Sequence, residues 1–355
     1  MAKYLDQKDD LYAGRTPRSA NQVGLTVREL VNKFLTAKKV RLDQDDLAQR
    51  TFLAYWKIGE KILNEFGRNK LVSELRAEDF DQLRLKFAIG VGPVTLSNLI
   101  RLTRIVFKYG YDADLIDKPV KTGPGFKPPS RKTVRTEKQS KPLRLFEAAE
   151  LRQVIEAASI DMKAMTLLAI NCGFGNTDCA NLPITALDLA GGWITYPRPK
   201  TAVMRRCPLW RETLVALKAA IASRPKAKRP EFEGLVFLNA RGVPFVRQSM
   251  SGNFTDSLSR LFALLLKDVG IKRENLNYYA VRHSFETVAG ATRDQIAVNS
   301  VMGHAAASSD MSSHYRERID DDRLKAVTDH VRAWLWPETI KTKATKKPVK
   351  KTTVK

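Results

Sequence analysis

Cysteine is scarce in this chain, with three residues in 355, Cys172, Cys179 and Cys207. The number is odd and no two stand in CxxC spacing, which argues against a disulfide framework and against a zinc site, and suits a reducing compartment. The three read as small core residues. Long hydrophobic runs are also missing. Nothing approaches the ~20 apolar residues of a membrane span, and Met1 to Asp10 mixes charged and apolar residues where an export signal would separate them. A cytoplasmic protein is expected. There is no internal repeat. The largest shortfall is in acidic residues, 38 Asp and Glu against 61 Lys and Arg, a formal charge of +23. What remains is ordinary: 43% hydrophobic residues is the composition of a folded globular chain, and the length suits two domains. Such an excess of cations points to a polyanionic partner, either nucleic acid or an acidic membrane surface. An aromatic RNA-binding motif and a basic amphipathic anchor are both lacking, which leaves duplex DNA in front.

The excess charge is concentrated. Between Lys118 and Arg144 nine lysines and arginines face the single acid Glu137, and from Lys341 to Lys355 seven lysines face none. Pro119, Pro124, Pro128 and Pro129 lie among the first group, so 117–144 reads as an extended basic linker and 339–355 as a disordered Lys-rich tail. With a flexible arm over 1–24, this leaves a segment 25–116 and a segment 145–338 to fold.

The first segment carries helical periodicity throughout. Val27, Leu30, Val31 and Phe34 share one face, Leu47 to Phe66 carries a stripe closed by Gly67, and Phe80, Leu83 and Phe87 mark a third helix. On a fourth, from about Thr95 to Tyr109, Leu99, Leu102, Val106 and Tyr109 fall on one side and Arg101, Arg104 and Lys108 on the other. That cationic face is a candidate for contact with a phosphate backbone. The second segment mixes types. Helices are expected near 148–158 and 177–182, a β-hairpin around the turn Pro197–Thr201, and helix everywhere after Met250. The expected class is mostly α with a small β-sheet.

Phosphodiester cleavage without a metal requires a nucleophile, cations for the phosphate oxygens and an acid for the departing oxygen. The second segment offers these types in order: Lys200 in the hairpin turn, Arg282 on a helix starting near Asn277, His304 after Gly303, and Tyr315 beside Arg316. Taken singly each has a plainer reading. Arg282 precedes Glu286 by four and would pair with it; His304 would sit at a helix C-terminus; Tyr315 would pack and Lys200 would be solvated.

Their order is what singles them out. Tyr279-Ala280-Val281-Arg282-His283-Ser284-Phe285, then Met302-Gly303-His304, then Ser313-His314-Tyr315-Arg316 resembles the C-terminal signature of the tyrosine recombinases, the phage integrases. In that family a His-x-x-Arg helix is followed by Gly-His or Gly-Trp and then by the nucleophilic tyrosine. The resemblance covers most of the chain and implies a C-shaped, two-domain DNA clamp: a helical core-binding domain, a basic linker and a mixed catalytic domain. It implies that Tyr315 attacks the scissile phosphate to give a 3′-phosphotyrosine, that Arg282 clamps non-bridging oxygens, that Lys200 protonates the leaving oxygen and that His304 hydrogen-bonds the phosphate. No metal or other cofactor is implied. A DNA-bound homo-oligomer, dimer to tetramer, is implied, with the helix from Asp321 to Leu335 packing into a neighbouring protomer. DNA recombination and integration of the kind carried by mobile elements is the function expected.

The sequence departs from the family twice. The first motif normally reads Gly-x-Arg with an acid three residues on, and the matching stretch is Gly173-Phe174-Gly175-Asn176-Thr177-Asp178, where the acid is present and the arginine is a glycine. The His of His-x-x-Arg is Tyr279. Either Arg205 or Arg206, on the second strand of the hairpin, supplies the missing cation with Tyr279 in support, or the protein is a non-cleaving accessory factor that binds DNA only.

Overall fold

The computed structural model describes residues 24–248, 254–306 and 310–337, excepting the side chain of His314. The expected arm over 1–24, apart from Gly24, and the lysine-rich tail lie outside these residues. The chain divides into two compact units at Lys141 and Pro142, mostly helical, with two small antiparallel sheets.

The described part of the first unit is built on helices: α1 (Val27–Asp43), α2 (Gln49–Phe66), α3 (Ala77–Ala88), α4 (Pro93–Asp112) and α5 (Arg131–Ser140). Thr26 starts α1 because its hydroxyl accepts from the Glu29 amide at 3.2 Å while Glu29 Oε2 accepts the Thr26 amide at 2.9 Å, a reciprocal cap. Val27, Leu30, Val31 and Phe34 are buried as their spacing requires. On α4 the buried face is broader than the sequence suggests, since Ile100, Thr103 and Phe107 join Leu102 and Val106.

The reason is the segment expected to be a linker. Residues 117–144 do not run extended: Phe126 is fully buried in the first core, edge-on to Phe80 at 5.4 Å. Arg84 Nε donates to the Lys127 carbonyl at 3.0 Å, Arg104 donates to that of Phe126, and α5 then lies against α4. One aromatic side chain decides the path because burying it is favourable, while the surrounding lysines stay exposed and keep their hydration. Phe126→Ala is therefore expected to destabilise the full-length chain by about 3–5 kcal/mol, as for a core phenylalanine. Urea unfolding would measure this; a change of under about 0.5 kcal/mol, the size expected of a surface position, would return Phe126 to a linker.

The second unit is built on α7 (Ile160–Cys172), apolar on every side and buried from Ala164 to Cys172. Around it stand α6 (Ala148–Ala157), α8 (Asn176–Ala180), α9 (Arg211–Ala222), α10 (Ser257–Asp268), α11 (Tyr278–Ala289), α12 (Gln295–Met302) and α13 (Asp321–Leu335). The three cysteines are buried here, and burial pushes the thiols of Cys172 and Cys179 well above their ordinary range, so those two are inert core residues.

Strands β1 (Leu187–Asp188), β2 (Trp193–Thr195) and β3 (Arg206–Pro208) form one antiparallel sheet, with Ile194 opposite Cys207, which is the expected hairpin. A second pair joins β4 (Val246–Gln248) to β5 (Phe254–Asp256). The expectation of helix throughout after Met250 thus fails at β5, a three-residue strand ended by Asp256, whose carboxylate accepts the Ser259 amide at 2.8 Å to cap α10.

Helix α13 folds onto its own unit. Leu324, Val327, Val331 and Leu335 are buried, Trp336 meets Trp210 edge-on at 5.7 Å, and Arg332 pairs with Glu212 on α9 at 2.5 Å. The apolar face expected to dock in a neighbouring protomer is already covered, because the core of this unit offers it a complete set of apolar partners.

Candidate active site

Arg282 sits on α11, which begins where the Asn277 side chain accepts the Ala280 amide at 3.1 Å. It is 2% exposed and does not pair with Glu286. Its guanidinium donates to the carbonyl of Gly173, to that of Met302 at 3.0 Å, and to His304 Nε2 at 2.9 Å. Gly173 and Met302 lie at the C-terminal ends of α7 and α12, where carbonyls are unspent and carry the negative end of the helix dipole. Two helix ends therefore hold a buried cation in place without a carboxylate in contact. Burial, with Arg198 beside it, pulls its pKa down to about 10, so it remains charged at neutral pH.

His304 is placed by the end of α12. Gly303 takes the left-handed conformation, φ +65°, and the His304 amide donates to the Asn299 carbonyl at 2.9 Å, closing the helix. Because Nε2 accepts from Arg282, the ring proton belongs on Nδ1, which faces Asn299 Oδ1 at 3.3 Å. Burial, then the charges of Arg282 and Arg198, hold His304 below the ordinary histidine range, and Glu286 opposes them. A depressed folded-state value means that the neutral ring stabilises the fold above about pH 6.5, the ordinary value, and that this contribution is lost as pH falls through the folded value. His304→Ala should flatten the fall of melting temperature between about pH 7 and pH 5. An unchanged profile would show that His304 is not the titrating group.

The hairpin closes over the same turn. Thr201 Oγ1 donates to the Gly303 carbonyl at 3.0 Å, and Arg198 approaches that oxygen at 3.5 Å. Lys200, between them in sequence, is exposed and has no hydrogen-bond or ion-pair partner among the described residues. Tyr315 follows the 3-10 turn Met311–His314, is 81% exposed, and its hydroxyl has no hydrogen-bond partner among the described residues. Arg282 and His304 are thus assembled with the hairpin, while Tyr315 stands in solvent.

The first motif folds as a tight start to α8. The Gly175 amide donates to Asp178 Oδ2 at 2.6 Å, and Asp178 Oδ1 accepts from Arg205 at 3.2 Å. Gly175 has φ −97°, open to any residue, but a Cβ there would meet the Tyr279 ring at 3.2 Å and Asp178 at 3.3 Å. Tyr279, nearly one turn before Arg282, packs its ring over the space that a side chain at 175 would use.

Residues 141–321 match the sequence profile described as the phage integrase family. The chain belongs to that family. Among curated proteins nothing matched. Solved structures share the fold. The Tn1549 transposon integrase in complex with a circular intermediate DNA aligns with a TM-score of 0.60 at 18% identity, over 86% of this chain and 99% of that one. A lambda integrase dimer bound to a core site gives 0.58 at 12% identity, over 84% and 100%, and a lambda integrase tetramer bound to a Holliday junction 0.57 at 14%, over 90% and 88%.

Two residues at this integrase-family site carry no motif and were missed in the sequence. Arg198 is the strongest charged influence on Arg282, and Asn299 sets the His304 ring. Arg198 lies two residues before Lys200, so a second cation in the hairpin turn was the available signal; Asn299 has none. Arg206 is engaged elsewhere: its guanidinium makes two hydrogen bonds to Asp321, at 2.9 and 2.8 Å, and stacks over Trp193 at 3.9 Å. In the first unit the α4 face is less free than its spacing suggests. Lys108 pairs with Asp112 at 2.6 Å, Arg104 holds the Phe126 carbonyl, and Arg101 donates to Asn98 at 2.8 Å.

Proposed function

We propose that this chain is a site-specific DNA recombinase that cleaves and rejoins duplex DNA through Tyr315. The Tyr315 oxygen attacks the scissile phosphorus and gives up its proton to solvent water, to which the side chain is open. The bond from phosphorus to the 5′ oxygen breaks, and Lys200 protonates that oxygen. The product is a 3′-phosphotyrosine and a free 5′-hydroxyl. A 5′-hydroxyl from another strand reverses the step and rejoins the DNA without ATP, since the covalent bond has been kept. Arg282 clamps a non-bridging oxygen, and His304 hydrogen-bonds the phosphate after DNA draws Arg282 off Nε2 and the ring proton moves from Nδ1 to that nitrogen.

The observation that carries this reading is Arg282: a buried, charged guanidinium held by two helix ends and joined to His304, inside a phage-integrase domain. Both units contribute phosphate contacts to one duplex, the first through Arg101 and through the charge of its basic stretch, with Arg104 and Lys108 contributing where DNA displaces their present partners. As with the lambda integrase dimer and tetramer on DNA, the working form is an oligomer on its site. The lysine-rich tail adds sequence-independent contacts.

A second reading, a non-cleaving DNA-binding accessory factor, is favoured by Gly175 and by the position of Tyr315 in solvent. Selection from a random duplex library, followed by a nicked version of the selected site, separates the two. Cleavage leaves a covalent adduct that survives denaturation; an accessory factor binds the site and leaves none. For binding itself, log K should fall linearly with log salt at about −0.9 per phosphate neutralised. A slope near zero would remove DNA as the partner.

A further inference from the structure

We propose that Arg205 takes the place of the arginine missing at position 175, so that the second phosphate clamp is delivered by the β-hairpin and not by the turn after α7. This rests on the reading that Tyr315 cleaves DNA.

The two departures from the family pattern prove to be one spatial rearrangement. Gly175 contributes no side chain, and the Tyr279 ring closes over it. Asp178, the acid of that motif, receives Arg205 at 3.2 Å from the second side of the hairpin. Arg205 is 1% exposed, and its Nε donates to the Tyr196 carbonyl at 3.2 Å. Phe174 stacks on it at 4.2 Å and Tyr196 lies at 5.5 Å, so the plane of the guanidinium is fixed before any ligand arrives.

One nitrogen is left over. Nη1 of Arg205 is buried and has no hydrogen-bond partner among the described residues. A buried N–H on a cation is costly to leave unpaired, and such groups in native proteins ordinarily have a partner or a use. The side chain runs beside the turn that forms the rest of the site: a Cβ at Gly303 would fall 2.6 Å from Arg205 Cδ and 2.9 Å from Arg198 Cβ. The charge of Arg205 also acts on Arg282. An anion held by Arg282 and His304 is therefore within the field of Arg205, and a non-bridging phosphate oxygen is the acceptor that Nη1 lacks. Arg206, the neighbouring candidate, is spent on Asp321 and Trp193.

In the step served, a bond from Tyr315 oxygen to phosphorus forms as the bond to the 5′ oxygen breaks. The phosphodiester charge is unchanged from start to product, but the transition state gathers charge on the non-bridging oxygens, and that is where a second cation acts. Removing Arg205 alone would strand Asp178 in the interior, so the variant to test is Arg205→Ala with Asp178→Asn, in the full chain. Its melting temperature and its affinity for the selected duplex establish that it folds and binds. On a nicked duplex of that site, adduct formation should fall by about 10³-fold or more, by analogy with the loss of an arginine finger. A second nicked duplex carries a methylphosphonate at the scissile position, where one charged oxygen is replaced by methyl. There the double variant should come within about tenfold of wild type, because the charge that Arg205 neutralises is gone.

Adduct formation near wild type on ordinary DNA would overturn the proposal. So would an equal loss on both substrates, which is the mark of a structural residue. A wild-type chain that forms no adduct on either substrate would remove the Tyr315 reading itself, and this proposal with it.

Discussion

Arg282→Ala is expected to lower the rate of covalent adduct formation by about 10³–10⁵, the range seen when a cation is removed from phosphoryl-transfer transition states. The expectation follows from how the side chain is held. Among the described residues its hydrogen bonds run to the Gly173 and Met302 carbonyls and to His304, so the residue proposed to clamp phosphate also joins the ends of α7 and α12 and aligns the histidine. The substitution should also cost stability, about 1–3 kcal/mol for each buried carbonyl left unpaired. Arg282→Lys separates the two effects. It keeps a charge but cannot reach two carbonyls and a ring at once, because lysine presents a single nitrogen where arginine presents a planar fork. Both variants should bind the selected duplex nearly as well as wild type, since one phosphate contact among many is lost. An Arg282→Ala chain that retains adduct formation within tenfold of wild type would contradict the assignment.

Tyr315→Phe is expected to remove adduct formation altogether while leaving both stability and DNA affinity unchanged. Only the attacking oxygen is lost. The side chain is 81% exposed and its hydroxyl makes no hydrogen bond among the described residues, so the change in unfolding free energy should stay within about 0.5 kcal/mol, as for other surface positions. This combination sets a nucleophile apart from a packing tyrosine, whose loss would show first in stability. The exposure has a further consequence. Arg282 and His304 share a hydrogen bond that Tyr315 does not join, so on the proposed reading the attacking geometry is completed only on bound DNA.

How much of this was legible in the sequence varies by element. Helices whose apolar residues recur at regular spacing, such as α1 with Val27, Leu30, Val31 and Phe34, were legible because one buried face dictates one period. The order of Arg282, His304 and Tyr315 was legible because spacing along the chain survives folding. Residues 117–144 were misread, since prolines and lysines dominate a local count while a single buried ring, Phe126, decides the structure. Helix α13 was given to a neighbouring protomer because an apolar stripe does not say whose core will cover it. The choice between Arg205 and Arg206 could not be made from sequence at all. Arg205 immediately precedes the first residue of β3, Arg206, and only the fold shows that one side chain meets Asp178 and the other Asp321.

The most direct test of the central claim is to locate the covalent bond. The wild-type chain is incubated with a nicked duplex of its selected site, the denatured adduct is digested with protease and nuclease, and the modified peptide is sequenced by mass spectrometry. The account predicts a nucleotide attached through its 3′-phosphate to Tyr315, with a 5′-hydroxyl on the released strand. A nucleotide attached to any other residue, or to Tyr315 through a 5′-phosphate, would contradict it.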